Sequence, residues 1–313
     1  MHCPQKLKYR LSKPAFSLIL LVITCFLSAC GSVFLYPAKD KFFDPAEIGL
    51  DYEDIFFQSR DGTNLHAWFL PTTSPERAII LYLHGNAENI STHIGAVHWL
   101  PKYGYSVLLL DYRGFGQSEG KESINGSLLD IESAIAKTLE LRSDKALPFI
   151  VYGQSIGAAL GVKAIADSSY HEEIDCLILE SGFSSYKDIV QDKLSASWLT
   201  WLFQWPVRVL ISDSASPKKA IGRVSPIPVL LVHGKADGVV PYYHSEVLYQ
   251  AAKSPKEFWL FDDIPHIASF VREDGRQKLL SFLRRIELEG QEQDQDQGGI
   301  VGFVTPLAKG VTN

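Results

Sequence analysis

The pattern Gly153-Gln154-Ser155-Ile156-Gly157 puts a serine between two glycines at the spacing of a strained nucleophile turn. Its context carries more weight than the pattern itself. The apolar run Phe149-Ile150-Val151-Tyr152 reads as a buried strand ending at Gly153, and Gly157-Ala158-Ala159-Leu160-Gly161 opens a small-residue helix. Strand, sharp turn and helix together expose a serine hydroxyl for attack on a carbonyl. The glycines let helix and strand approach closely, and the helix N-terminus aims free N–H groups at developing negative charge. The bland alternative is an ordinary strand–helix turn bearing a surface serine.

A serine nucleophile needs a base and an acid, expected in the order Ser, Asp, His. Four histidines follow Ser155: His171, His233, His244 and His266. His171 lies in a polar stretch, His233 at a strand end, and His244 at the start of a helix. His266 sits in Asp262-Asp263-Ile264-Pro265-His266, a loop between an apolar run and the final helix, from which imidazole can reach across the sheet edge. Asp237, in the loop after the preceding strand, is placed to fix its tautomer. Asp262 and Asp263 are competing acids, close to His266 in sequence. Two backbone donors from separate segments are expected at the oxyanion: the N–H of Ile156 and that of Asn86 in Leu83-His84-Gly85-Asn86-Ala87. His84 precedes the serine at an interior strand end and is expected to shape that loop.

The elements around these residues read as one domain. Asp61-Gly62 between Ile55-Phe56-Phe57-Gln58 and Leu65-His66-Ala67-Trp68-Phe69 signals a hairpin. Beyond it, runs at 78–83, 106–110, 149–152, 177–179 and 229–232 are apolar on both faces, as strands of a helix-covered parallel sheet are. Helical stretches such as 128–142 alternate with them, which predicts an α/β sheet. The alternation breaks at about 186–224, where Trp198, Trp201 and Trp205 fall within eight residues. Trp198, Leu202, Trp205 and Val209 share a helical face, and a long insertion in a compact domain is usually functional. An aromatic lid lining an acyl pocket is the expectation there, against plain packing of the aromatics onto the sheet's helices. The run Gln291-Glu292-Gln293-Asp294-Gln295-Asp296-Gln297 predicts a disordered tail over 289–313.

At the other end, Lys6, Lys8, Arg10 and Lys13 precede an uncharged apolar run at 15–27, which ends in Leu27-Ser28-Ala29-Cys30-Gly31. This is the layout of an export signal, and its end resembles the bacterial lipobox, which places a lipid on Cys30. Residues 1–29 are then a signal peptide, 30–50 a linker and 51–288 the hydrolase domain. The alternative is an uncut membrane anchor, because apolarity continues through Val33-Phe34-Leu35. Cleavage removes four positive charges and no acidic ones, deepening the formal charge from −6 to −10. That leaves no basic surface for nucleic acid. It also leaves Cys176 as the sole thiol besides Cys30, so no internal disulfide is expected. The sequence holds no phosphate-loop motif, no H-E-x-x-H and no cysteine–histidine cluster, and neither metal nor cofactor is expected.

The stretches at 81–87, 111–120, 152–157 and 232–241, in that order, resemble α/β-hydrolase-domain proteins, and most closely the BEM46-like subfamily. That subfamily includes membrane-associated vertebrate hydrolases, protein depalmitoylases among them. The resemblance spans roughly residues 50–287. It implies the α/β-hydrolase fold, a mostly parallel sheet with helices on both faces and a small aromatic lid. It also implies Ser155, Asp237 and His266 as catalytic residues cleaving an acyl ester. The lipobox and the tryptophan-rich insertion depart from the vertebrate relatives. The expectation is a membrane-anchored lipoprotein facing the periplasm that takes a lipid-like acyl ester or thioester. The rivals are a serine peptidase acting on small peptides and a catalytically silent envelope protein.

Overall fold

A computed structural model describes residues 34–196, 200, 204 and 209–298, the last eight by their backbone alone. Eight strands form one sheet in the order β1-β2-β4-β3-β5-β6-β7-β8. The hairpin signalled by Asp61-Gly62 is present: β1 (Glu53–Gln58) pairs antiparallel with β2 (Asn64–Leu70). β2 pairs antiparallel with β4 (Tyr105–Asp111). From β4 onward the pairing is parallel through β3 (Ala78–Leu83), β5 (Phe149–Gln154), β6 (Cys176–Glu180), β7 (Val229–Gly234) and β8 (Lys256–Phe261). The expected α/β-hydrolase architecture is what the chain adopts.

The inner strands β3 to β7 are apolar on both faces because each feeds two cores. In β3, Ile79, Leu81 and Leu83 enter one core, and Ala78, Ile80 and Tyr82 enter the other. The first core is closed by α1 (Ile124–Leu141), α2 (Ile156–Ala166), α3 (Tyr186–Ser195) and α4 (Tyr243–Ala251), through residues such as Ile131, Ile135, Leu160, Ile189 and Leu248. The second is closed by the segment at 90–100 and by α5 (Glu273–Gly298), whose Leu279, Leu280, Leu283 and Ile286 recur at helical spacing. Local capping sets the helix starts. Ser123 Oγ accepts the Gly126 N–H at 3.1 Å, and Ser185 Oγ accepts the Asp188 N–H at 3.2 Å.

Two sequence readings need correction. The disordered tail expected from residue 289 does not begin there, since α5 continues to Gly298. Glutamate and glutamine are good helix formers, and this polar run extends a helix already nucleated against the core. The linker read over 30–50 is, from residue 34, packed onto the domain: Leu35 is 1% exposed and belongs to the first core. The signal peptide, Cys30, Trp198, Trp201 and Trp205 lie outside the described residues. Of the lid insertion, α3 and the short helix Pro217–Ala220 are described. Among the described residues no helix is long and apolar enough to cross a membrane.

Candidate active site

The parallel strands end along one edge, and Ser155, His266, Asp237 and the loop carrying Asn86 come together there. Ser155 joins β5 to α2 with φ 52° and ψ −115°. Its N–H donates to the Glu180 carbonyl at 2.9 Å, which pins the turn to the neighbouring strand. A Cβ on Gly153 would stand 2.7 Å from the Ala158 backbone, and one on Gly157 would collide with the Leu83 carbonyl. Both positions must be glycine for helix, turn and β3 to pack this closely.

His266 reaches the serine from the loop after β8, with Nε2 3.1 Å from Ser155 Oγ. Its Nδ1 is 2.7 Å from Asp237 Oδ2. A carboxylate only accepts, so Nδ1 carries the proton and Nε2 is left as acceptor for the serine hydroxyl. The Asp237 side chain is fully buried. The N–H groups of Val239 and Val240 donate to Oδ1, both at 2.8 Å. His233 Nε2 lies 3.1 Å from Oδ2. Burial alone would raise this carboxyl, but the hydrogen bonds from His233 and His266 outweigh it and hold it well below the usual carboxylate range. It is therefore an anion whenever His266 needs one.

The loop after β3 supplies the remaining wall. A Cβ on Gly85 would lie 3.6 Å from Ser155 Cβ, so this backbone passes directly beside the serine. Among the described residues, neither the Asn86 nor the Ile156 N–H has a protein acceptor. Backbone strain gathers at the same place. The five non-glycine residues with positive φ among those described are Ala87, Glu88, Ser155, Ser181 and Ile267, all on these converging segments.

The other candidates sort by geometry. His84 is fully buried, with Nδ1 2.7 Å from the Gly85 carbonyl, and burial pushes its pKa well down, so it shapes the loop as expected. Asp262 and Asp263 are exposed and bond Lys235 and Arg272. His171 lies against the Val224 carbonyl. His244 is buried between Ser184 Oγ and Asp192 Oδ2, at 2.9 Å from each.

Sequence reasoning missed three groups. His233 sits behind Asp237, with Nδ1 2.7 Å from Ser245 Oγ. Its i, i+4 spacing to Asp237 was the available signal. Glu180 and Ser181 at the end of β6 hold the histidine loop, Glu180 Oε1 accepting Ser269 N–H at 2.7 Å and Ser181 Oγ accepting Ile267 N–H at 3.2 Å. Those pairs are more than eighty residues apart in sequence, and no local pattern reports them. Among the described residues no group of three or more His, Cys, Asp or Glu side chains could hold a metal ion.

Residues 74–221 match the Hydrolase_4 family, described as serine aminopeptidase S33. YfhR of Escherichia coli K12 is 37% identical over 88% of this chain and 95% of its own. The α/β hydrolase domain-containing protein WAV2 of Arabidopsis thaliana is 33% identical over 68% of this chain and 71% of its own. Protein bem46 of Schizosaccharomyces pombe is 27% identical over 85% and 89%. Among solved structures, the Pyrococcus furiosus esterase Pf2001 superposes with a TM-score of 0.63 at 21% identity, over 82% of this chain and 98% of that one. With the sheet order, the serine turn and these relatives in agreement, the chain belongs to the α/β-hydrolase family.

Proposed function

We propose that this protein is a serine hydrolase that cleaves acyl esters or thioesters through an acyl-enzyme. Ser155 Oγ attacks the acyl carbonyl as His266 Nε2 takes its proton, and Asp237 stabilises the imidazolium. The Asn86 and Ile156 N–H groups hold the oxyanion. The protonated His266 then returns its proton to the leaving alcohol or thiol. Water, deprotonated by the same nitrogen, attacks the acyl-serine and releases the acid. The observation that carries this reading is the continuous chain Ser155–His266–Asp237, at 3.1 and 2.7 Å, ending in a buried carboxylate that also accepts the Val239 and Val240 N–H groups.

The choice of an acyl ester of carboxylesterase, lysophospholipase or monoacylglycerol lipase type rests on the aromatic segment at Trp198, Trp201 and Trp205 and on the apolar N-terminus. Tryptophan suits an acyl chain, having an apolar body and one polar N–H. We place the protein at a bacterial envelope membrane, facing the periplasm and held by lipid on Cys30. Peptide hydrolysis is the second reading, favoured by the serine aminopeptidase description of the matching family. A series of chromogenic acyl esters from acetyl to palmitoyl, run beside aminoacyl anilides, tests the choice. Turnover of esters with a preference among chain lengths supports esterase action. Turnover confined to anilides overturns it.

A further inference from the structure

Residues 34–42 run directly across the loop that carries Asn86. Tyr36 N–H donates to Asn86 Oδ1 at 2.9 Å, and Ala38 N–H donates to the Glu88 carbonyl at 3.0 Å. Asn89 Nδ2 answers with bonds to the Ala38 and Asp40 carbonyls at 3.1 and 2.7 Å. Phe42 N–H donates to Ser91 Oγ at 3.0 Å. The strand-like crossing is itself fixed on its far side. Leu35 is buried in the core, Phe34 meets the Tyr186 ring edge-on at 4.9 Å, Gly116 N–H donates to the Ala38 carbonyl at 2.9 Å, and Lys39 Nζ donates to the Ser118 carbonyl at 2.6 Å.

What this crossing holds is a strained loop. Ala87 and Glu88 are consecutive residues with φ of 68° and 55°, a conformation that side chains bearing a Cβ disfavour and that persists only where neighbours over-determine it. Asn86 lies between Gly85, which passes beside Ser155, and this pair, so the path of the loop that carries its N–H is fixed at one end by the pair. From outside the loop the pair is held at Glu88 by the Ala38 N–H on its carbonyl and a bridge to Pro37, and at Ala87 by His93 Nε2, 3.3 Å from its carbonyl.

We propose that residues 34–42 are a strap that positions the oxyanion hole, holding the Asn86 N–H on the reacting carbonyl. Competence for acyl transfer then depends on the segment that joins the domain to the apolar N-terminus. The strap rests on the reading of Asn86 as an oxyanion donor and adds to it a requirement that sequence motifs do not contain. Its residues touch no reacting atom; they act through Asn86.

Two variants of the full-length protein separate positioning from packing. Asn86→Ala removes the acceptor for Tyr36 N–H and leaves the Asn86 backbone donor in the chain. Ala38→Pro removes the N–H that bonds Glu88 and leaves Asn86 untouched. Loss of one oxyanion donor costs about 10²–10³ in kcat, so displacing it is expected to cost ~10- to 100-fold in each variant, with KM within about twofold. Affinity for a phenylboronic acid, whose tetrahedral serine adduct presents an oxygen to the same donors, should fall by the same factor. Activities are taken per folded molecule, from circular dichroism. Wild-type kcat and boronate affinity in both variants, whatever the change in melting temperature, overturn the strap. Turnover by a folded Ser155→Ala protein would instead overturn the serine mechanism beneath it, so the two failures are distinguishable.

Discussion

Glu180 accepts the Ser269 N–H through Oε1 at 2.7 Å, while its backbone carbonyl accepts the Ser155 N–H at 2.9 Å. One fully buried residue at the end of β6 thus grips both the Ser155 turn and the loop that carries His266. Its other carboxylate oxygen accepts from the Tyr152 hydroxyl and from Gln154 Nε2, whose own Oε1 accepts the Tyr82 hydroxyl. Every group facing the carboxylate is a donor.

Glu180→Gln sets an amide N–H₂ against those donors and leaves at least one buried N–H or O–H without an acceptor. That costs about 1–3 kcal/mol. The expected result is a lower melting temperature together with a lower kcat, because the loop holding His266 loosens. Thermal melts and ester kinetics check it. A variant that melts lower but keeps wild-type kcat would limit Glu180 to the core.

The choice of acid is tested by substitution along the histidine loop. Asp237→Asn forces the wrong imidazole tautomer and is expected to lower kcat by something on the order of 10⁴. Asp262 and Asp263, with side chains 85% and 74% exposed, bond only Lys235 and Arg272 across the surface. Surface pairs of this kind contribute about 0–1 kcal/mol, so Asp262→Asn and Asp263→Asn should leave kcat near wild type. A crippled Asp263→Asn would show that the acid has been misplaced at Asp237.

Stability carries a pH signature from His66, buried on β2 between Asp54 Oδ1 at 2.7 Å and Asp111 Oδ2 at 3.3 Å. Burial alone would lower its pKa, but the hydrogen bonds to Asp111 and Asp54 outweigh it and raise it above the ordinary histidine value. A raised histidine contributes stability that is fully present below its unfolded value of about 6.5 and is lost as pH rises through the folded value. The urea midpoint should therefore fall as pH climbs above about 6.5, and His66→Gln should flatten that slope. A wild-type slope identical to that of His66→Gln would assign the pH dependence elsewhere.

The anchor is tested at Cys30. A single acyl chain binds membranes marginally, and several hold stably, at about 0.8 kcal/mol per buried methylene. Cys30→Ser is expected to block both lipidation and cleavage, leaving a longer precursor visible by mass spectrometry. An unmodified Cys30 within an intact N-terminus of the wild-type protein would favour the uncut anchor.

Much of this site was legible in the sequence because its parts are local. The runs at 149–152 and 229–232 are apolar on both faces, and the serine turn and the Asp237 loop follow such strands at once. His266 was reachable from chain order together with its place in a loop between an apolar run and the final helix. The supports were not legible, because they are pairs set by tertiary approach: Glu180 with Ser269 across 89 residues, and Tyr36 with Asn86 across 50. The segment after residue 34 carries two prolines in the 32–50 stretch and no periodicity, so it read as a linker. Its packing belongs to the folded chain, where Leu35 enters the core and residues 36–42 bond the loop at 86–91. The polar run after 289 misled for the opposite reason, since its composition suits both a solvated coil and the end of an anchored helix.

The proposed mechanism stands on Ser155 Oγ as the attacking atom. The direct measurement is labelling of the purified full-length protein by a fluorophosphonate, with peptide mass spectrometry to locate the adduct, beside acyl-ester turnover in the wild type and in Ser155→Ala. One adduct is expected, on Ser155, and a Ser155→Ala protein that folds, melts near wild type, takes no label and has lost ester turnover. Wild-type turnover by a folded Ser155→Ala protein, or an adduct on another serine, would contradict it.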